Sequence, residues 1–131
     1  MSSRVRAAVI EYGADLDLTQ PPYSDAEKVG RDGGFPMPLT PTVIAQATVV
    51  NHVTADDPPF YIVHGDHDPL VDPQDSVTLD ARLRSVGVAS SFMYVINGVH
   101  AWDNTPFGPI NPSWDQLLQL ELAFFDRYLK F

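Results

Sequence analysis

Residues 60–71 read FYIVHGDHDPLV, and this stretch decides how the rest of the sequence is interpreted. Phe60–Val63 is a short aromatic and β-branched run, which is typical of a buried strand, and His64-Gly65 ends it. The polar tripeptide at 66–68 therefore follows the end of a strand. In open α/β sheets the carboxyl ends of the strands form the edge at which ligands bind. The stretch thus predicts a buried strand that leads into a functional loop.

Two further apolar runs predict two more strands. Val5–Tyr12 is β-branched and apolar and stops at Gly13, whereas Phe92–Ile96 ends at the turn signal Asn97-Gly98. Between the first strand and position 40, residues 14–38 are rich in Asp, Pro and Gly, which predicts a long irregular connection.

Three segments predict helices. Thr40-Pro41 and Asp72-Pro73 each place an N-cap residue before a first-turn proline, and Gly87 suits the end of the second helix. The last helix is predicted to start at Asn111-Pro112 and to pack on the sheet through apolar residues at helical spacing, with Trp114 and Phe125 in the core.

The alternation of strands and helices predicts an α/β fold with a small parallel sheet of about three strands and flanking helices. We treat the whole chain, residues 1–131, as a single domain. Because so small a parallel sheet leaves an unpaired edge, we expect a second copy or a companion chain to cover it, most simply in a homo-oligomer.

Composition limits the partners and the location of the chain. The formal net charge is −9, which disfavours binding to nucleic acid without a metal ion and binding to anionic membranes. No stretch approaches the ~18 uninterrupted apolar residues of a membrane span, so we expect a cytoplasmic protein with no membrane partner. The chain has no cysteine, which excludes disulfides and thiolate metal sites.

An acid and a histidine follow neighbouring predicted strands. Asp68 comes after the strand at 60–63, and His100 comes after the strand at 92–96. Carboxyl ends of adjacent parallel strands lie side by side, so a carboxylate here can orient an imidazole. Acid before histidine is also the chain order of the triad in α/β-hydrolases.

These residues resemble the α/β-hydrolases, and within them bacterial esterases of the acetyl and feruloyl type. Residues 57–71 are similar to that family's seventh strand and acid loop, Val99-His100 to its histidine loop, and residues 5–18 to its sixth strand. The resemblance implies that the chain is a truncated domain, corresponding to the C-terminal half of the fold. It implies that Asp68 is the triad carboxylate and His100 the triad histidine.

The chain also departs from the family's pattern. It has neither a Gly-x-Ser-x-Gly nucleophile motif nor the glycine-rich segment that forms the oxyanion hole. The family often has proline at the position of Asp72, glycine at Ala101 and a small residue at His67. None of the eight serines is flanked by glycines; they are Ser2, Ser3, Ser24, Ser76, Ser85, Ser90, Ser91 and Ser113.

Our leading hypothesis is a small carboxylic ester hydrolase acting on short-chain, activated esters. Asp68 would orient His100, and the nucleophile would be an unidentified hydroxyl or an activated water. Trp102 and His67 are the candidate substrate-binding residues, although Trp102 could instead pack against the last helix. This hypothesis requires no cofactor.

Two alternatives remain open from the sequence. The dense cluster of imidazole and carboxylate side chains at 64–72 could bind a divalent cation such as Mg²⁺ or Mn²⁺ and serve a nuclease-type phosphodiesterase. Its candidate ligands are His64, Asp66, His67, Asp68 and Asp72. The chain could also be a non-catalytic remnant, or one half of a split hydrolase whose partner carries the serine.

Overall fold

The computed structural model describes residues 4–13, 18, 40–102 and 105–130. Of the predicted connection at 14–38, all residues except Leu18 lie outside this description, and Leu18 is buried.

Three parallel strands form the sheet. They are β1 (Ala8–Glu11), β2 (Phe60–Gly65) and β3 (Ser90–Val95), in the spatial order β1-β2-β3. Residue 8 pairs with residue 60, and residue 60 with residue 90, so all three strands start at the same level. The prediction of a small parallel sheet is confirmed, although β1 begins three residues later than Val5.

Helix α1 (Pro41–Ala47) lies between β1 and β2 and is followed by a 3₁₀ turn at Val49–His52. The predicted cap is confirmed, because Thr40 Oγ1 accepts a hydrogen bond from the backbone N–H of Val43 at 3.2 Å.

Helix α2 (Pro73–Ser85) connects β2 to β3. Asp72 Oδ1 accepts a hydrogen bond from the backbone N–H of Gln74 at 2.9 Å, so the predicted N-cap is confirmed. Gly87 ends the helix with a φ of 86°, a left-handed conformation that glycine adopts without a steric penalty.

The last helix, α3 (Trp114–Leu129), begins later than the sequence predicted. Its N-cap is Ser113, which forms a capping box with Gln116. The predicted start at Asn111-Pro112 was wrong, because Asn111 forms an antiparallel bridge with Ile96 through two backbone hydrogen bonds of 2.8 and 3.0 Å.

The sheet is covered by apolar side chains on both faces. Ile62 packs with Leu79 and Leu83 of α2 on one face. Val63, the next residue of β2, points to the opposite face and packs with Trp102 and with Leu117 of α3. Alternation along β2 therefore joins one helix to each face of the sheet.

Helix α3 leaves much of its apolar surface exposed. Leu117 is buried, but Trp114 is 51% exposed, so the prediction that Trp114 belongs to the core was wrong. Phe125 is partly buried. Helical spacing shows that a face is apolar, but it does not show which part of that face has a partner. Other large apolar residues of α3 that are exposed are Leu118, Leu120, Leu122 and Leu129.

The ends of β2 and β3 approach each other closely at two glycines. A Cβ atom on Gly65 would collide with the backbone oxygen of Gly98, and one on Gly98 would lie 2.8 Å from the backbone oxygen of Val95. The close approach lets the backbone N–H of His67 donate to the oxygen of Gly98 at 2.9 Å. It thereby joins the acid loop (residues 66–71) to the histidine loop (residues 97–102).

We expect Gly65→Ala to lower the free energy of unfolding by about 3 kcal/mol, because the added methyl group meets backbone that cannot move aside without separating the two loops. Gly87→Ala is the control, since nothing lies within 4 Å of its Cβ position. It should cost only about 1 kcal/mol of left-handed strain. Urea unfolding measures both variants, and equal losses would contradict the steric argument.

Candidate active site

Asp68 is fixed in the acid loop just beyond the end of β2. Its Oδ1 accepts hydrogen bonds from the backbone N–H groups of Leu70 at 2.8 Å and Val71 at 3.0 Å. The carboxyl side chain is fully buried. A loop that follows a strand can thus hold a carboxylate rigidly in one orientation through its own backbone.

His100 lies in the 3₁₀ turn His100–Trp102, which follows β3. Its Nδ1 donates to Asp68 Oδ2 at 2.9 Å, and its side chain is 30% exposed. An ionised carboxylate only accepts hydrogen bonds, so the proton of the imidazole lies on Nδ1. Nε2 is then the ring nitrogen available for proton transfer. The structure therefore brings together the acid and the histidine that the sequence singled out.

A second histidine contacts the same carboxylate oxygen. His64, fully buried at the end of β2, places Nε2 3.2 Å from Asp68 Oδ2 and Nδ1 2.7 Å from Ser76 Oγ on α2. The sequence indicated His64 only as the end of a strand and as a candidate metal ligand, and the contact with Ser76 was missed. The separation of four residues between His64 and Asp68 was the sequence signal that could have indicated their contact.

Burial and hydrogen bonds act in opposite directions on this pair. Burial alone would raise the pKa of Asp68, but hydrogen bonds from the backbone of Val71, from His100 and from the backbone of Leu70 outweigh it, and the net pKa is lowered. Burial lowers the pKa of His64, and the neighbouring Asp68 offsets only part of that effect. The site therefore contains an ionised Asp68 and a neutral His64 at neutral pH.

The backbone around His100 is strained. Ala101 and Trp102 have φ values of 57° and 59°, in the left-handed region that non-glycine residues rarely occupy. Tyr12, at the end of β1, also has a positive φ, and its ring lies 4.9 Å from that of His100. The sequence did not single out Tyr12. Its position shows that β1 also borders the site.

The two candidate substrate-binding residues lie on different sides of the histidine loop. Trp102 is buried between Tyr12 and Trp114, with ring-centroid distances of 5.3 and 5.2 Å. His67 is more exposed; its Nδ1 lies 2.8 Å from Asp66 Oδ1, and its ring stacks on Phe107 at 4.1 Å. Only His67 of these two presents substantial surface to solvent.

The candidate metal ligands do not converge. Asp72 caps α2, Asp66 pairs with His67, and Asp68 is occupied by backbone and imidazole donors. Among the residues that the structure describes, no three histidine or carboxylate side chains are placed to hold one ion. Four surface cavities of about 240 to 490 Å³ in the described part of the chain are lined by neither Asp68 nor His100.

Comparison with known sequences identifies the family. The BD-FAE family profile matches residues 3–83, which include β1, β2, α2 and Asp68. The chain belongs to the BD-FAE family. His100 lies beyond the matched residues, so its assignment depends on the geometry at Asp68.

Individual relatives of this BD-FAE chain are bacterial esterases of the α/β-hydrolase type. Esterase LipQ of Mycobacterium tuberculosis is 34% identical over 64 residues, which are 48% of this chain and 15% of LipQ. In fold, the chain is similar to an acetyl ester-xyloside bifunctional hydrolase from Caldicellulosiruptor lactoaceticus, with a TM-score of 0.70, 18% identity and coverage of 92% of this chain. It is also similar to a thermophilic esterase from Thermogutta terrifontis, with a TM-score of 0.69, 18% identity and 96% coverage.

The chain spans less than half the length of these proteins, namely 42% of the first solved structure and 43% of the second. Within the described ranges, no helix is long and apolar enough to cross a membrane.

A pair of acidic residues in this BD-FAE chain joins β1 to α3. Glu11 and Glu121 line the same cavity of about 240 Å³, together with Trp102 and Leu117. Burial, a hydrogen bond with Glu11 and the charge of Glu11 raise the pKa of Glu121 to about 7. Burial and the charge of Glu121 also raise the pKa of Tyr61. Protonated Glu121 can donate to Glu11, whereas two ionised carboxylates repel each other.

The Glu11–Glu121 pair should make the stability of the chain depend on pH. The folded pKa of Glu121 lies above its ordinary value of 4.5, so the folded state binds this proton more tightly than the unfolded state. The stabilisation is complete below pH 4.5 and is lost as the pH rises towards 7. Glu121→Gln keeps the neutral form, and we expect its melting temperature to fall less than that of the wild type across this range.

Asp126→Asn is the matched control, because Asp126 is an exposed acid on the same helix that pairs with Lys130. Its melting curves should follow the wild-type pH dependence. Thermal unfolding between pH 4.5 and 8 measures all three proteins. Parallel curves for Glu121→Gln and the wild type would show that the carboxyl pair is not protonated in the folded state.

Proposed function

We propose that the chain is a carboxylic ester hydrolase that acts on short-chain, activated esters through Asp68 and His100. The observation that carries the proposal is the 2.9 Å hydrogen bond from His100 Nδ1 to a buried carboxylate at the C-terminal edge of a parallel sheet. Membership of the BD-FAE family and relatives such as Esterase LipQ support the assignment to ester chemistry.

His100 is the proton carrier in this proposal. As a hydroxyl or water oxygen attacks the ester carbonyl, Nε2 takes the proton of the nucleophile, and the imidazolium that forms is stabilised by ionised Asp68. When the tetrahedral intermediate collapses, the carbonyl reforms, the bond to the leaving alkoxide breaks, and Nε2 returns the proton to that oxygen. With water as the nucleophile this step releases the carboxylic acid. With a hydroxyl it leaves an acyl ester, which water then hydrolyses through the same two proton transfers at Nε2. These proton transfers use only His100, so the proposed reaction needs no metal or cofactor.

Ser76 is not suited to be the nucleophile, although it is bonded to a histidine. It is fully buried on α2, and its hydroxyl lies against His64 and not against His100. Eight serines occur in the chain, and none has the flanking glycines of a nucleophile elbow. The nucleophile in our proposal is therefore water or a hydroxyl supplied by another polypeptide segment.

The free edge of β1 is where such a segment would pack. In the described part of the chain β1 pairs only with β2, and Tyr12 at its end contacts His100. A second copy or a companion chain that extended the sheet here would stand next to the candidate site. The exposed apolar residues of α3 support an assembly of this kind.

The two candidate substrate-binding residues keep distinct roles in the proposal. His67, stacked on Phe107 and about 43% exposed, forms the rim that an ester would meet first. Trp102 is buried, so it would act from behind the site, by packing against Tyr12, whose ring contacts His100.

The proposal predicts that the purified chain hydrolyses an aryl acetate faster than buffer alone. His100→Ala should abolish this excess rate, and Asp68→Asn should lower it by about 10²- to 10⁴-fold, because the imidazole loses its orientation and the partner of its charge. His52→Ala is the matched control, since His52 is exposed and bonds to the backbone of Gln46.

Initial rates at pH 7.5 with 4-nitrophenyl acetate test the prediction. The His52→Ala control should match the wild type. If wild type and His100→Ala both hydrolyse the ester at the buffer rate, the proposal is contradicted, and the chain is a non-catalytic remnant or half of a split hydrolase.

A further inference from the structure

Two imidazoles converge on one carboxylate oxygen in this site. Asp68 Oδ2 lies 2.9 Å from His100 Nδ1 and 3.2 Å from His64 Nε2. The proposed reaction uses the first contact and leaves the second without a function. His64 is fully buried, so it cannot contact substrate directly. Any influence that it has on the reaction must pass through Asp68.

The hydrogen bonds around His64 define where its proton lies. Ionised Asp68 only accepts hydrogen bonds, so His64 Nε2 must carry the proton and donate it. Neutral His64 then has a lone pair on Nδ1, and the Ser76 hydroxyl, 2.7 Å away, donates to it. Ser76 is as buried as His64, so water does not compete for this contact. The carboxylate therefore sets the tautomer of His64, and the Ser76 hydroxyl adapts to it and anchors the ring from the other side.

Ser76, His64 and Asp68 form a hydroxyl–imidazole–carboxylate chain like that of a hydrolase triad, but its geometry excludes a second active site. A nucleophile must reach substrate, and the Ser76 hydroxyl is enclosed between α2 and β2. Enclosure suits a different task, namely holding one imidazole in a fixed orientation.

We propose that His64, anchored by Ser76, is a positioning residue that holds Asp68 through Oδ2 and limits how strongly that oxygen attracts the proton of His100. Its relevance to ester hydrolysis rests on the proposed function, whereas the coupling between the two histidines is a property of the folded chain. The backbone of Leu70 and Val71 fixes Oδ1, and His64 fixes the other oxygen. Both oxygens of Asp68 are thus held by donors other than His100.

The physical effect follows from sharing one acceptor. A hydrogen bond from His64 neutralises part of the charge on Oδ2, so imidazolium at His100 gains less from Asp68 than it would from a carboxylate without that bond. Burial keeps His64 neutral, so it does not add a second positive charge near His100. The shared acceptor therefore moderates the pull of Asp68 on the imidazole that takes and returns the proton in the proposed reaction.

Nitrogen-15 NMR of histidine-labelled protein tests the proposal. In the wild type we expect neutral His64 to carry its proton on Nε2 throughout the titration of His100. His64→Phe keeps a ring of similar size and removes the donor to Asp68. We expect the titration midpoint of His100 to rise by about one pH unit in this variant. His64→Gln can donate through its amide and should return the midpoint towards the wild-type value.

Ser76→Ala is the milder variant, because it removes a single oxygen and leaves His64 in place. We expect His64 to keep its proton on Nε2 but to be held less firmly, with an upward movement of the His100 titration midpoint that is smaller than in His64→Phe. His52→Phe is the control for introducing phenylalanine at a histidine, and it should leave His100 unchanged. A structural role alone would change the melting temperatures of these variants without changing the His100 midpoint.

Two results would overturn the proposal. The first is the finding that neutral His64 in the wild type carries its proton on Nδ1. This measurement needs no variant. The second is a titration midpoint of His100 that equals the wild-type value in both folded variants, Ser76→Ala and His64→Phe. Neither measurement depends on ester hydrolysis, so failure of the aryl acetate assay would refute the proposed function and leave the coupling of the histidines to be judged separately.

Discussion

The buried carboxylate of Asp68 is the constraint on which the candidate site depends. Taking a carboxylate out of water is costly unless each oxygen finds donors. Here two backbone N–H groups serve Oδ1, and the imidazoles of His64 and His100 serve Oδ2. The hydrogen bonds to this one carboxylate therefore fix the acid loop, the buried strand residue His64 and the histidine loop relative to one another.

The parallel sheet makes this convergence possible. Adjacent strands that run in the same direction bring their following loops to one edge, and the Gly65–Gly98 contact lets those loops approach to hydrogen-bonding distance. The same architecture leaves the outer edge of β1 without a partner strand in the described part of the chain. Tyr12 at the end of that strand touches His100, so the open edge and the candidate site adjoin.

Local sequence signals predicted the elements well. Short apolar runs defined the three strands, and the caps at Thr40 and Asp72 fixed where two helices begin, because a cap depends only on neighbouring residues. Strand order then placed Asp68 near His100. Features that depend on how elements pack were missed, namely the Ser76–His64 contact between α2 and β2 and the exposed position of Trp114. The start of α3 was also missed, because a long-range bridge holds Asn111.

The central claim is that Asp68 orients His100 with its proton on Nδ1, which leaves Nε2 to act as the base. The tautomer of neutral His100 in the 131-residue chain, read from its two nitrogen-15 chemical shifts, tests this claim most directly. We predict a protonated Nδ1 and an unprotonated Nε2 in the wild type, with loss of that preference in Asp68→Ala. A wild-type His100 protonated on Nε2, or one whose tautomer is indifferent to Asp68, would contradict it.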